Sequence, residues 1–126
     1  MKIQELSVGD WVRYIPNGRY AQVESVSKKG SITLEGEDFV GVSGLDNLAY
    51  IRLTPEILKD NGWRGDKTDP NFFATDEVYI YNHEGVWRLR PKSPELLIVV
   101  DIKHVHELQH ALRLLGVEKE IEYSEE

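Results

Sequence analysis

Short alternations of apolar and polar residues fill the first half of the chain, and a three-to-four spacing dominates its end. Trp11 to Ile15 reads as a strand entered through Gly9-Asp10 and left through Pro16-Asn17-Gly18, where Asn-Gly is a strong hairpin signal. Arg19 to Ser27 follows, with Tyr20, Ala21, Val23 and Val26 as its apolar members. Lys28-Lys29-Gly30 predicts a turn, Ser31 to Glu35 a clean alternation, and Gly36-Glu37-Asp38 its end. Phe39 to Val42 and Leu48 to Leu53 complete five short strands in about fifty residues. Closing such a sheet into a small barrel hides its edges.

The second half mixes periods. Thr54-Pro55 opens a short helix that Gly62 can close, with Ile57 and Leu58 as its buried side. Trp63 to Asn71 is irregular and reads as a loop. Glu77 to Tyr81 and Val86 to Arg90 are strands around Asn82-His83-Glu84-Gly85. Val78 and Ile80 face one way and Tyr79 and Tyr81 the other, while Arg88 and Arg90 oppose Trp87 and Leu89. Leu96 to Val100 is a continuous apolar run, hence a buried strand. Asp101 is expected to cap a helix from Ile102 to Leu115 that Gly116 ends, and Val117 to Tyr123 to add a last alternating strand. The predicted fold class is therefore α+β. It comprises one domain over residues 1–126, with a barrel-like part over 1–53 and an α+β part over 54–126 whose amphipathic C-terminal helix packs on the sheet.

Composition narrows the function classes. Of 126 residues, 40% are hydrophobic and none is cysteine, so disulfide frameworks and thiolate metal sites are excluded. The longest apolar run is strand-sized, and no signal-like start is present, which predicts a cytoplasmic protein with no membrane partner. The formal charge is −7, with net −1 in residues 1–53 and net −6 in 54–126. That field repels phosphate backbones and disfavours generic nucleic-acid binding. A local exception is Arg88, Arg90 and Lys92, which share a strand face if Pro91 leaves the strand intact.

One stretch names a reaction. His106-Glu107-Leu108-Gln109-His110 spells H-E-x-x-H, which on a helix offers two zinc ligands one turn apart and a glutamate as general base. Helical geometry argues against that use. Val105, Leu108, Leu112 and Leu115 form one stripe, and His106 and His110 fall nearly opposite it, beside Lys103 and Arg113. Arg113 and Gly116 also stand where the extended motif would place glycine and a third histidine. The pair is therefore expected on a solvated polar face, with no metal site, no cofactor and no catalytic residue. Zinc held by His106 and His110 remains the alternative.

The segment Val8-Gly9-Asp10-Trp11-Val12, with the return strand Ala21-Gln22-Val23-Glu24-Ser25-Val26, resembles small SH3-like barrels, including the KOW-type ones. The resemblance implies ligand-binding aromatics on one rim, here Trp11, Tyr14 and Tyr20. Regular strand geometry puts Trp11 and Tyr14 on opposite faces. The polar loop flanked by Trp63 and by Phe72-Phe73 is the other expected ligand place, with Trp63 and Arg64 as its candidate binding residues. Ile51 to Leu58, Asn61-Gly62-Trp63 and Ile102 to Gln109 together resemble a group of small uncharacterised proteins from phages and mobile elements of gut bacteria. That resemblance implies an accessory protein and carries no activity with it. The expected function is a non-enzymatic interaction protein whose partner is a host or phage protein or a small ligand. A zinc hydrolase and a nucleic-acid-binding SH3-like module are the alternatives.

Overall fold

The computed structural model describes residues 6–27, 32–35, 42–43, 47–93 and 98–122. The expected turns at 28–30 and 36–38, and residues 39–41, 94–97 and 123, lie outside them. The chain is a mixed α+β protein, mostly strands with two helices, and divides into two compact units, Met1–Ile51 and Arg52–Glu126.

The first unit is a curled half-barrel. Its strands are β1 (Trp11–Tyr14), β2 (Arg19–Val26), β3 (Ile32–Leu34), β4 (Val42–Ser43) and β5 (Leu48–Ala49), ordered β4-β3-β2-β1-β5. The long β2 makes the curl possible. Its first half pairs with β1 and its second with β3, and the register shifts between Val23 and Ser25. Such a bulge bends the strand and raises its twist. Leu6, Val12, Ala21, Val23, Ile32, Leu34 and Leu48 form the core, with Tyr14, Val26 and Tyr50 packed against it. Gly9 (φ 91°) donates to the Val23 carbonyl at 2.7 Å, while the buried Asp10 accepts from the Ser7 amide at 2.8 Å. The Gly-Asp pair thus fixes the entry into β1.

The second unit is an antiparallel meander with a helix at each end. Helix α1 spans Pro55–Asp60; the strands are β6 (Arg64–Gly65), β7 (Phe72–Ala74), β8 (Val78–His83), β9 (Val86–Pro91) and β10 (Val100–Ile102), ordered β10-β9-β8-β7-β6; helix α2 spans Val105–Leu114 and lies against β10. Thr54 caps α1 as expected, its hydroxyl accepting from the Ile57 amide. Both helices end on left-handed glycines, Gly62 (φ 81°) and Gly116 (φ 73°), and the next amide reaches back five residues, Trp63 to Leu58 and Val117 to Leu112. The inner face of the sheet buries Phe73, Val78, Ile80, Trp87, Leu89 and Ile102.

Four expectations are corrected. The loop after Trp63 contains β6, a two-residue strand too short to leave a pattern. Of the run Leu96 to Val100, the described residues are not a buried strand: Ile98 and Val99 are 42% and 48% exposed, and among them Val100 is the one paired. Ile102 belongs to that strand, opposite Trp87, because the ladder with β9 wins over a helical start. Asp101 therefore caps nothing and instead lies 3.7 Å from Arg88. Finally, residues 117–122 form no strand. They are held by the buried Val117 and Ile121 and at the end by Asn61, whose side-chain amide donates to the Glu122 carbonyl at 3.1 Å and accepts from the Glu122 amide at 2.7 Å.

Candidate functional site

Helix α2 starts at Val105 with His104 as its N-cap, so H-E-x-x-H occupies the first turn and a half. Glu107 is the third helical residue, the position from which a carboxylate reaches back to the cap. Its Oε1 accepts from the His104 amide at 2.9 Å and the Lys103 amide at 3.2 Å, and lies 2.9 Å from His104 Nδ1. A general base would have to point to the side where His106 and His110 meet a metal-bound water. Glu107 instead neutralises the start of the helix, where orphan amides and the macrodipole favour a negative charge.

The histidines are not placed as the helical wheel predicts. His106 is only 3% exposed, and His110 is half-buried. Val105, His106, Leu108, Gln109, Ala111 and Leu112 are all buried, an arc of about 220° around the helix rather than one stripe. The expected solvated face is corrected: a single apolar stripe marks one covered side, and residue chemistry does not reveal a second. The His104 and His106 rings stack at 5.9 Å, and His106 meets His110 edge-on at 5.6 Å. Among the described residues, no three His, Asp or Glu side chains are grouped to hold a metal ion.

The other candidate residues are dispersed. Cross-strand pairing of Arg13 with Tyr20 and Trp11 with Gln22 puts Trp11 and Tyr20 on one face of the first sheet, while Tyr14 lies on the core side with Val12. All three are half-buried. In the second unit Trp63 is 3% exposed, part of the core just beyond α1. Arg64 is exposed in β6, its guanidinium 2.9 Å from Asp76.

The strand β9 ends at Pro91, so Arg88 and Arg90 lie on it and Lys92 just beyond it. The Lys92 amide bonds the Glu77 carbonyl at 2.9 Å, so the nitrogen of Pro91 faces the other edge, past the end of β10 pairing at Leu89. The register then pairs Tyr79 with Arg90 and Tyr81 with Arg88 on the outer face of the second sheet. Phe72, opposite Tyr81, stacks on Tyr79 at 5.6 Å, Tyr79 on Tyr81 at 6.4 Å, and the Arg90 guanidinium lies 5.9 Å from the Tyr79 ring centre. The period-two pattern shows Tyr79 with Tyr81 and Arg88 with Arg90. It does not show that Phe72 joins them, because that depends on which strand flanks β8.

A cleft of about 490 Å³ opens within the second unit. Arg52 bridges to His104, and the Leu53 amide bonds the Lys103 carbonyl at 3.1 Å, which brings Arg52, Lys103 and His104 to one wall. Thr54, Pro55 and Trp87 line the interior, with Trp87 held by its indole N–H on the Leu53 carbonyl at 3.1 Å. Asn71, Asn82 and Gly85 complete the lining. Sequence reading missed this site, because its members are scattered over six separate stretches with no motif.

No helix among the described residues is long and apolar enough to cross a membrane. Compared with protein-family models, curated proteins and solved structures, the chain matches none.

Proposed function

We propose that the chain is a non-enzymatic binding protein, an accessory protein of phage or mobile-element type acting in the cytoplasm on a host or phage partner. The observation that carries this reading is the position of the Glu107 carboxylate. The one stretch that spells a reaction spends its base on two backbone amides and the His104 ring, which leaves a helix cap where a hydrolase needs a proton acceptor. The first unit is read as an SH3-like barrel, a reading supported by its meander with a fifth strand returning to β1. The docking surface is the outer face of the second sheet. Tyrosine and arginine are the residue types in which binding energy concentrates, and Phe72, Tyr79, Tyr81, Arg88 and Arg90 are gathered there on rigid strands.

Two measurements test this. Zinc-loaded protein should show no peptide or ester hydrolysis, and activity abolished by Glu107→Gln would refute the reading. A partner captured by the wild type should be lost from the double variant Tyr79→Ala, Arg90→Ala with its circular dichroism unchanged. Undiminished capture would move the surface elsewhere. Retention of oligonucleotides that falls steeply with salt would favour the nucleic-acid alternative.

A further inference from the structure

We infer that the cleft of the second unit is a binding site for a phosphate-bearing small molecule of nucleotide size. Its charge is the first argument. The protein carries 22 acidic and 15 lysine or arginine residues, yet Arg52, Lys103 and His104 line the cleft and, among the described residues, no carboxylate does. Glu107, outside the lining, is bonded by the Lys103 and His104 amides and lies 2.9 Å from the His104 ring, so Arg52 and Lys103 are the cations left to meet an anion. An anion entering the cleft therefore meets cations on one side without a competing carboxylate in the lining.

The second argument is the rest of the lining. Asn82 accepts from the Gly85 amide through its side-chain oxygen at 3.1 Å, which leaves its NH₂ group as the donor end. Asn71 adds a second amide, and Pro55 supplies apolar surface beside Trp87, which is itself only 3% exposed. Charged donors together with side-chain amides suit a phosphate joined to a polar body. A volume of about 490 Å³ is in the usual range for small-molecule sites. The walls are also fixed before any ligand arrives: the Arg52 to His104 bridge sets one part, the β8–β9 hairpin another, and the Trp87 to Leu53 bond joins them. This site is separate from the outer sheet face, so either proposal can fail without the other.

The test is a titration of the isotope-labelled full chain with adenosine 5′-monophosphate, inorganic phosphate and adenosine, followed by amide and indole resonances. The nucleotide should move the Trp87 indole and Gly85 amide signals saturably. Arg52→Ala and Lys103→Ala should each weaken binding by about tenfold, the scale of one charge-assisted contact. Both side chains are exposed, so neither change threatens the fold. Saturable binding of phosphate alone with the same dependence on Arg52 and Lys103 also supports the site. Overturning results are an absence of shifts at millimolar nucleotide, equal binding of adenosine, or unchanged affinity in both variants.

Discussion

Replacing Glu107 separates a helix cap from a catalytic base. In Glu107→Ala, the amides of Lys103 and His104 lose their acceptor and His104 loses its carboxylate neighbour. Loss of a capping side chain costs about 1 kcal/mol, and loss of a negative charge at a helix start a further 0.3–1 kcal/mol or so. The contact with the His104 ring adds little: the two side chains are 32% and 38% exposed, and such pairs contribute roughly 0–1 kcal/mol before screening. The variant should therefore be destabilised by about 1.5–2.5 kcal/mol. Glu107→Gln keeps an oxygen acceptor, and glutamine serves at this position of a capping box. Its loss should be less than half as large. Urea denaturation followed by far-ultraviolet circular dichroism measures both, and the cap argument requires lower midpoints at an unchanged slope. An alanine variant as stable as the wild type would refute it. So would a glutamine variant as damaged as the alanine one.

Other expectations follow from single contacts. Asn61→Ala removes the bonds of its side chain to Ile57 and to both backbone groups of Glu122, two of them at the surface, and should cost about 1–3 kcal/mol and speed amide exchange at Glu122; unchanged exchange would detach the tail from this side chain. Glu84 and Gly85 both have positive φ (54° and 86°) in a two-residue hairpin turn, so Glu84→Asn should stabilise by about 0.5–1 kcal/mol, read as a raised urea midpoint. The Asp66 carboxyl is held below the ordinary aspartate range by the Thr68 amide and then the Thr68 hydroxyl, so its ionised form stabilises the fold above the unfolded-state pKa and that contribution fades as pH falls through the folded one. Asp66→Asn should accordingly differ from wild type at neutral pH and converge with it in acid; a gap that persists undiminished would contradict the hydrogen-bond geometry.

Local punctuation made much of the fold legible. Thr54-Pro55 supplies a side-chain cap and a preset φ, Gly18, Gly62 and Gly116 supply positive φ, and each stands where an element starts or stops. The errors occur where local preference met a competing long-range partner. Ile102 continues the helical stripe in sequence, yet the ladder with Trp87 holds it in β10 and delays α2 to Val105. Alternation in 117–123 suggests a strand, but the described residues 117–122 form none: Val117 and Ile121 are buried and the Asn61 amide bonds the Glu122 backbone. The candidate sites were less legible for the same reason. The Tyr79 and Arg90 pairing depends on a register, and Arg52 joins Lys103 and His104 only across 51 residues of chain, which no short motif encodes.

The motif that looked catalytic and the cleft that did not are linked through the same few residues. Glu107 draws in the amides of Lys103 and His104 and lies against the His104 ring, so it fixes the backbone of the wall to which Arg52 is bridged. Its negative charge is spent on the start of α2, while the side chains of Lys103 and His104 remain part of the cleft lining. The glutamate of H-E-x-x-H thus acts as a positioning residue for a cationic wall. Shortening it should loosen that wall as well as the helix. Ligand affinity in Glu107→Ala should then fall in parallel with helix stability, whereas Glu107→Gln should retain most of both. If nucleotide affinity were indifferent to Glu107 while still depending on Arg52 and Lys103, the cleft would be independent of the helix cap.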